Sequence, residues 1–300
     1  MTKKLVLTMA LCFSFCLPVL AGNKDRDKFI KHIKNTSVTV KAAVNSGYGE
    51  SGEATGSGVI VTRTLKDKNG KTHIVNFVWT AGHVVDSLRN VRSATDSKTG
   101  AKKQIVEFGT PYIVKELINQ KTGIKEGEVR LVTKVLCYSD ADTGEDLALL
   151  IILKEDFVKA TTTFYLKKSI PSIGTPLCHI GSRFGDIGSG SFSAGHLSYI
   201  GRMLKLSTAT TKVFDQTSVP ASPGSSGGGM FVQWGDEDET KCVGLIVRGG
   251  EASFNFIVPV RRMKDWAKKM NIEFALDPKA KMPTLEDLNS IAIDDGWVKK

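Results

Sequence analysis

Short apolar runs separated by turn residues dominate the chain from Val38 to Val260. The runs are rich in valine, isoleucine, leucine and phenylalanine, and their length is typical of strands. In chain order they are 38–40, 58–61, 74–78, 130–135, 147–153, 177–180, 196–200, 211–214, 230–233, 243–247 and 254–258. Glycine, asparagine and aspartate lie between them, with Asn69-Gly70 a strong hairpin signal. The pattern therefore predicts an all-β barrel or sandwich.

One amphipathic helix is predicted after the last run. Pro259 suits a helix start, and Met263, Trp266 and Met270 recur at helical spacing. The same segment holds a local group of basic residues: Arg261, Arg262, Lys264, Lys268 and Lys269. We expect these to form a face in contact with solvent. About 30 residues follow the helix, too few for a further domain of the usual 50 or more.

The first residues have the pattern of a secretory signal peptide. Two lysines in 1–4 precede a mostly apolar stretch, 5–20, and small residues in 19–21 suit cleavage. The stretch falls short of the roughly 18 to 20 apolar residues that a membrane span requires, and no later run is longer. We therefore expect removal of 1–21 and a secreted or periplasmic protein with no remaining membrane segment.

Charge and cysteine content narrow the function classes. The 300 residues carry a net charge of +10, but the basic residues are spread along the chain without interleaved aromatic residues. This distribution argues against nucleic-acid binding as the main function. After signal removal Cys137, Cys178 and Cys242 remain, which allows at most one disulfide and favours small buried core residues. The chain has no C-x-x-C pair, which argues against a structural zinc site. No metal and no cofactor are predicted.

Three segments supply the parts that acyl transfer at a serine requires. Thr80-Ala81-Gly82-His83 places a histidine after an apolar strand, and Asp146 directly precedes another. The glycine-rich segment 223–229 surrounds Ser226. Serine is a weak nucleophile at neutral pH, so His83 would accept its proton while a buried Asp146 fixes the histidine tautomer. The glycines let two backbone N–H groups, of Gly224 and Ser226, aim at one point as an oxyanion hole.

Neighbouring residues compete for two of these roles. Asp140, Asp142 and Glu145 lie close to Asp146, and Ser225 competes with Ser226. Only Asp146 directly precedes the apolar strand, and the glycine pair after Ser226 favours that serine.

The order histidine, aspartate, serine on an all-β chain is that of the chymotrypsin arrangement. Over roughly residues 36 to 270 the chain resembles the trypsin-like, chymotrypsin-fold serine proteases, especially bacterial secreted and periplasmic members. The motifs that carry the resemblance are Gly56-Ser57-Gly58-Val59-Ile60, Thr80-Ala81-Gly82-His83, Asp146-Leu147-Ala148-Leu149-Leu150, Gly224-Ser225-Ser226-Gly227-Gly228 and Gly244-Leu245-Ile246.

The resemblance implies two six-stranded antiparallel β-barrels and a C-terminal α-helix. The expected units are the signal peptide 1–21, the barrels 22–155 and 156–258, the helix 259–271 and a tail 272–300. The tail leaves no space for the additional peptide-binding domain of periplasmic quality-control relatives. Ser225 stands where zymogen-activated members carry an acid, so activation by that ion pair is not expected.

The same resemblance places a specificity pocket at Pro220 and Ala221, with Val247, Arg248 and Gly249 as a wall and the Phe254 region narrowing it. Because no acid stands at the pocket floor, we expect small or medium apolar side chains to be accepted. The sequence therefore predicts a serine endopeptidase acting on polypeptides. Two alternatives are an inactive binding module of the same fold, suggested by the unusual Ser225, and a basic surface-binding protein.

Overall fold

A computed structural model describes residues 23–45, 51–66, 70–95, 100, 102–119, 121–122, 124–208, 210–251 and 253–295. The predicted signal peptide, Asn69 of the predicted hairpin and the last five residues of the tail lie outside this part of the chain. No helix in the described ranges is long and apolar enough to cross a membrane.

The first half of the chain forms a closed barrel of six antiparallel strands, in the order β1-β2-β3-β8-β7-β6. Its elements are α1 (Asn23–Thr36), β1 (Ser37–Asn45), β2 (Ser51–Lys66), β3 (Thr72–Thr80), α2 (Gly82–Val85), β4 (Arg89–Thr95), β5 (Lys102–Phe108), β6 (Tyr112–Ile118), β7 (Lys125–Ser139) and β8 (Leu147–Ile152). Strands β4 and β5 pair only with each other, as a separate hairpin.

The second half forms a sheet in the order β13-β10-β11-β12-β15-β14-β9, and β13 also pairs with β14. Six of these strands therefore close into a second ring, with the short β9 added in parallel at β14. The elements are β9 (Thr163–Phe164), β10 (Pro176–Arg183), β11 (Gly188–Lys205), β12 (Thr211–Thr217), β13 (Gly229–Val232), β14 (Lys241–Glu251), β15 (Phe254–Pro259), α3 (Val260–Met270) and α4 (Leu285–Ser290). The predicted fold of two β-barrels followed by a helix is confirmed.

Every apolar run predicted as a strand overlaps a strand of the structure, but three α-helices and four strands of the described part of the chain were not predicted. They are α1, α2, α4, β4, β5, β6 and β9. Half of the residues of α1 are charged, and this helix buries few apolar residues, among them Phe29, which packs against Trp234, and Ile33. Strands β4 and β5 are largely polar, and most of β4 is exposed, so the alternation that marks a half-buried strand is absent.

Helix α3 buries Met263, Trp266 and Met270, as its periodicity predicts. The expected solvent-facing basic group is wrong for two of its members. Arg261 pairs with Asp215, and Arg262 pairs with Glu145. Their half-buried positions at the start of the helix bring them against strand β12 and the loop before β8, where the carboxylates stabilise them.

The tail, to which the sequence assigned no role, packs on the first barrel. The ring of Phe274 lies 5.2 Å from that of Phe77, and Trp79 Nε1 donates to the Ala275 carbonyl at 2.7 Å. Near its end, Asp294 pairs with Arg89 at 2.7 Å and forms a β-bridge to Tyr138. The tail therefore extends the core of the first barrel.

All three cysteines of the described chain are buried, as predicted, and all three are free, so the one disulfide that the sequence allowed is not formed. Burial raises the pKa of each thiol, that of Cys242 to about 12. A thiolate is the nucleophilic form of cysteine, so these side chains are unsuited to nucleophilic catalysis.

Candidate active site

The candidate base and acid meet where two neighbouring strands end. His83 lies in the single turn α2 after β3, and Asp146 precedes β8, which pairs with β3. His83 Nδ1 lies 2.9 Å from Asp146 Oδ1 and 3.1 Å from Oδ2. The His83 backbone N–H also donates to Oδ1 at 3.1 Å. A carboxylate can only accept, so Nδ1 carries the proton and Nε2 is left as a proton acceptor.

Asp146 is 1% exposed, while the His83 side chain is 35% exposed. The acid is therefore shielded from water, and the base remains accessible from outside. This combination suits a histidine that must exchange a proton with a bound molecule while its orientation stays fixed.

The competing acids point elsewhere. Asp140 accepts from the backbone N–H groups of Asp142 and Thr143, which closes the turn before Asp146. Asp142 lies 3.6 Å from Arg248, and Glu145 pairs with Lys212 and Arg262. Of the four candidates, Asp146 is the one that bonds the described His83 side chain.

The serine turn, residues 223–229, requires glycine at two positions. Gly224 has φ +92° and Gly227 has φ +83°, in the left-handed region. A Cβ at Gly224 would lie 2.0 Å from the Ser182 carbonyl oxygen, and one at Gly227 would lie 2.2 Å from Thr80 Oγ1. Because both contacts are impossible for an L side chain, the turn keeps its shape only with these glycines.

Contacts with both barrels hold the serine turn. Ser57, on β2, donates its N–H to the Ser226 carbonyl and its hydroxyl to the Gly224 carbonyl, each at 2.7 Å. Gly227 N–H donates to the Ile246 carbonyl of β14 at 2.6 Å. The turn also lies against the histidine segment, since a Cβ on Gly227 would be 2.6 Å from Ala81 N.

The two serines differ in exposure. Ser225 is 1% exposed, and its hydroxyl accepts from the Ser222 N–H at 3.2 Å. Ser226 is half-buried, and its hydroxyl has no hydrogen-bond partner in the described part of the chain. Between them, Ser226 therefore has the hydroxyl available to a substrate.

Two N–H groups of the serine turn have no acceptor. The N–H groups of Ser225, Gly227 and Gly228 donate to backbone carbonyls. Among the described residues, those of Gly224 and Ser226 have no such partner. These are the donors predicted for an oxyanion hole, and the turn leaves both available.

The residues predicted to line a specificity pocket lie at the edge of the second barrel. The Pro220 carbonyl accepts from Ser193 Oγ at 2.8 Å, and Ala221 is 8% exposed. The Val247 side chain is in the core, so this residue can present only its backbone to a substrate. Arg248 turns to the first barrel and donates to the Ala141 carbonyl at 2.6 Å.

Gly249 on β14 pairs with Asn255 on β15. Phe254, which precedes Asn255, is 42% exposed. Asn255 was not predicted. Its buried side chain donates to the Val219 carbonyl at 3.0 Å and thereby fixes the segment that leads into Pro220. A buried amide of this kind has no periodic sequence signal.

Among the described residues, no three His, Cys, Asp or Glu side chains are grouped to hold a metal ion.

His179 lies behind the serine turn and is fully buried, as expected for a core histidine. Its Nδ1 donates to the Gly229 carbonyl at 3.1 Å, while Nε2 has no partner among the described residues. A Cβ on Gly228 would lie 2.3 Å from its Cε1. The imidazole therefore supports the turn directly.

Burial lowers the pKa of His179 from 6.5 to about 4. The unfolded chain binds a proton there more readily than the folded chain, so the stability held above about pH 6.5 falls as the pH drops to about 4. Up to about 3 kcal/mol is expected to be lost from this group. Urea unfolding at pH 7 and pH 4.5 measures it, with His179→Gln as the comparison. If the variant lost as much stability as the wild type over this interval, His179 would not be the source.

Comparisons with known proteins identify the family and the fold. Residues 56–244, more than half of the chain, match the family of trypsin-like peptidase domains. A search among curated proteins gives no significant match. A solved structure of a variant of the HtrA-type protease AlgW with a tripeptide is similar at TM-score 0.50 and 17% sequence identity.

That structural match covers 83% of this chain and 64% of the other, so the chain spans less than two thirds of the length of its structural relative. At this identity the likeness shows the fold alone. The family match is independent of it and contains the His83–Asp146 pair and the whole serine turn, including Ser226. The chain belongs to the trypsin-like peptidase domain family.

Proposed function

We propose that this protein is a serine endopeptidase that hydrolyses peptide bonds through an acyl-enzyme. Ser226 is the nucleophile, His83 the general base and acid, and Asp146 the residue that holds the imidazole. The observation that carries the proposal is a hydrogen-bonded His83–Asp146 pair whose histidine segment packs against a turn that leaves two N–H groups and one serine hydroxyl available.

In the first step Ser226 Oγ attacks the scissile carbonyl carbon and His83 Nε2 takes its proton. The carbonyl oxygen becomes negative and accepts from the N–H groups of Gly224 and Ser226, where a single donor is typically worth about 10²- to 10³-fold in rate. His83 then gives the proton to the leaving amine. In the second step a water molecule, deprotonated by His83, hydrolyses the ester.

A second candidate function is a binding module that has lost catalysis. The observation that favours it is the absence of a hydrogen bond to the Ser226 hydroxyl from any described residue. Catalytic hydrogen bonds are often long without substrate and shorten in the Michaelis complex. The intact His83–Asp146 pair therefore supports the enzyme over the binding module.

The substrate is a polypeptide, and the specificity pocket lies at Pro220 and Ala221, with Val247, Arg248 and Gly249 beside it and Phe254 at its mouth. The Arg248 side chain is held by the first barrel, so a neutral pocket for small or medium apolar side chains is the specificity we propose. The signal pattern of 1–21 supports a secreted or periplasmic location.

Incubating the mature chain, 22–300, with a peptide library tests both the proposed peptidase activity and the proposed neutral pocket. We expect cleavage after small or medium apolar residues, and none by a His83→Ala variant of equal thermal stability. A strong preference for lysine or arginine would contradict the neutral pocket. If the wild type left the library uncut and His83→Ala were indistinguishable from it, the binding module would be the better account.

A further inference from the structure

The loop that carries the candidate acid is attached to the second barrel through Glu145. This acid loop comprises residues 139–146. Glu145 Oε2 accepts from Arg262 Nε at 2.8 Å and Nη2 at 2.6 Å, and its Oε1 accepts from Lys212. Arg262 lies in the first turn of α3, the helix that follows the second barrel, and Lys212 lies on β12 of that barrel. Two cations from this half of the chain therefore hold the residue next to Asp146.

The Arg262 side chain is itself fixed. It is 11% exposed, its guanidinium carbon lies 4.7 Å from the centre of the Phe214 ring, and its Nη1 donates to the Val213 carbonyl at 2.9 Å. The Glu145 side chain is 21% exposed. Two nitrogens of Arg262 converge on Oε2 while Lys212 binds Oε1, so both carboxylate oxygens are held. Charge-assisted hydrogen bonds shielded in this way set the position and direction of the carboxylate more closely than a surface pair does.

The acid loop needs such attachment because Asp146 has an unfavourable backbone. Its φ is +56°, a left-handed conformation that costs a residue with a side chain about 1 kcal/mol or more. The turn centred on Asp140 supports the loop from within. At its other end Ser139 Oγ donates to Asp295 Oδ2 at 2.6 Å and accepts from the Glu145 N–H at 2.6 Å. Both ends of the loop are thus tied to more distant parts of the chain.

We infer that Arg262, supported by Lys212, is a positioning residue that acts through Glu145 to hold Asp146 against His83. The inference rests on the proposed function. It means that the barrel bearing the nucleophile also fixes the acid of the other barrel, so that the relative placement of the two barrels and the orientation of His83 are set by the same contacts.

Arg261 supplies a matched control. It is the neighbour of Arg262 on α3 and also donates two hydrogen bonds to a carboxylate, one to each oxygen of Asp215 at 2.5 and 2.7 Å. Its partner lies on β12, outside the acid loop. Glu145→Gln keeps the shape of the side chain, Arg262→Lys keeps its charge, and Arg261→Gln removes an equivalent ion pair elsewhere.

We expect Glu145→Gln to lower kcat by about 10- to 100-fold with KM changed by less than about twofold, because the loss is one of orientation. Arg262→Lys should fall between this variant and the wild type, and Arg261→Gln should stay within about twofold of the wild type. In proton NMR, the downfield signal of the His83 Nδ1 proton should be lost or broadened in Glu145→Gln and kept in Arg261→Gln.

A purely structural ion pair would give a different result. Glu145→Gln would then unfold at a lower temperature but keep its kcat per folded molecule and its downfield signal, and this outcome would overturn the inference. Equal losses of kcat in Arg261→Gln and Glu145→Gln would overturn it too. If the wild type is inactive, the proposed function fails, while the NMR signal still decides whether Glu145 positions the His83–Asp146 pair.

Discussion

Replacing Ser226 with alanine is expected to lower kcat for peptide hydrolysis by about 10⁶-fold, the size of effect seen when the nucleophile of a serine protease is removed. The turn around Ser226 is held by its backbone, through the Ser57 and Ile246 contacts, and its hydroxyl has no partner among the described residues. The variant should therefore fold as the wild type does, and the loss should be one of chemistry alone.

Ser225→Ala is the matched control. The Ser225 hydroxyl is buried and accepts one backbone hydrogen bond from Ser222, so its removal should cost about 1 kcal/mol of stability. The hydroxyl does not face a substrate, and kcat should fall by less than about tenfold. Steady-state hydrolysis of a peptide selected from the library measures both variants. A greater loss of kcat in Ser225→Ala than in Ser226→Ala would show that Ser225, and not Ser226, is the nucleophile.

The second large effect is expected from Asp146→Asn, with a fall in kcat of about 10⁴-fold. The asparagine oxygen can keep the bond from the His83 backbone N–H, so the loop should stay in place. An amide that donates toward Nδ1 stabilises the opposite tautomer, with the proton on Nε2, and His83 can then no longer accept a proton from serine. The imidazolium also loses its carboxylate partner.

Asp142→Asn is the control for this variant, since Asp142 lies in the same loop, its side chain is 73% exposed and its nearest cation, Arg248, is 3.6 Å away. Its kcat should stay close to that of the wild type. Measuring kcat for both variants together with their thermal unfolding separates chemistry from stability. Comparable losses of activity in the two variants would contradict the role of Asp146.

The sequence predicted the strands of both barrels except β6, because most of them contain a β-branched or aromatic run between turn residues. It did not predict α1, whose buried side chains Phe29 and Ile33 are too few for a clear helical period. The sequence did not predict the hairpin of β4 and β5 because its strands are mostly polar and pair only with each other. Burial against other elements, rather than the local pattern, stabilises α1, whereas β4 and β5 are held by pairing with each other.

The candidate site was predictable where the chemistry lies in short motifs. His83, Asp146 and Ser226 stand in three ordered segments, and the structure places the histidine and the aspartate in contact. The supports of the site were not predictable. Glu145 contacts its partners Lys212 and Arg262 only because the two halves of the chain pack together. From the sequence alone, Arg262 was predicted to lie on a basic helix face in contact with solvent. Contacts over such sequence distances leave no periodic signal.

The central claim is that Ser226 is the nucleophile and that His83 activates it. Reacting the mature protein with a fluorophosphonate probe and locating the adduct by mass spectrometry of the proteolytic peptides tests this most directly, because the probe reacts with an activated serine whatever the natural substrate is. We expect a single adduct on Ser226, retained in Ser225→Ala and abolished in His83→Ala. An adduct on Ser225, or no adduct on the folded wild-type protein, would contradict it.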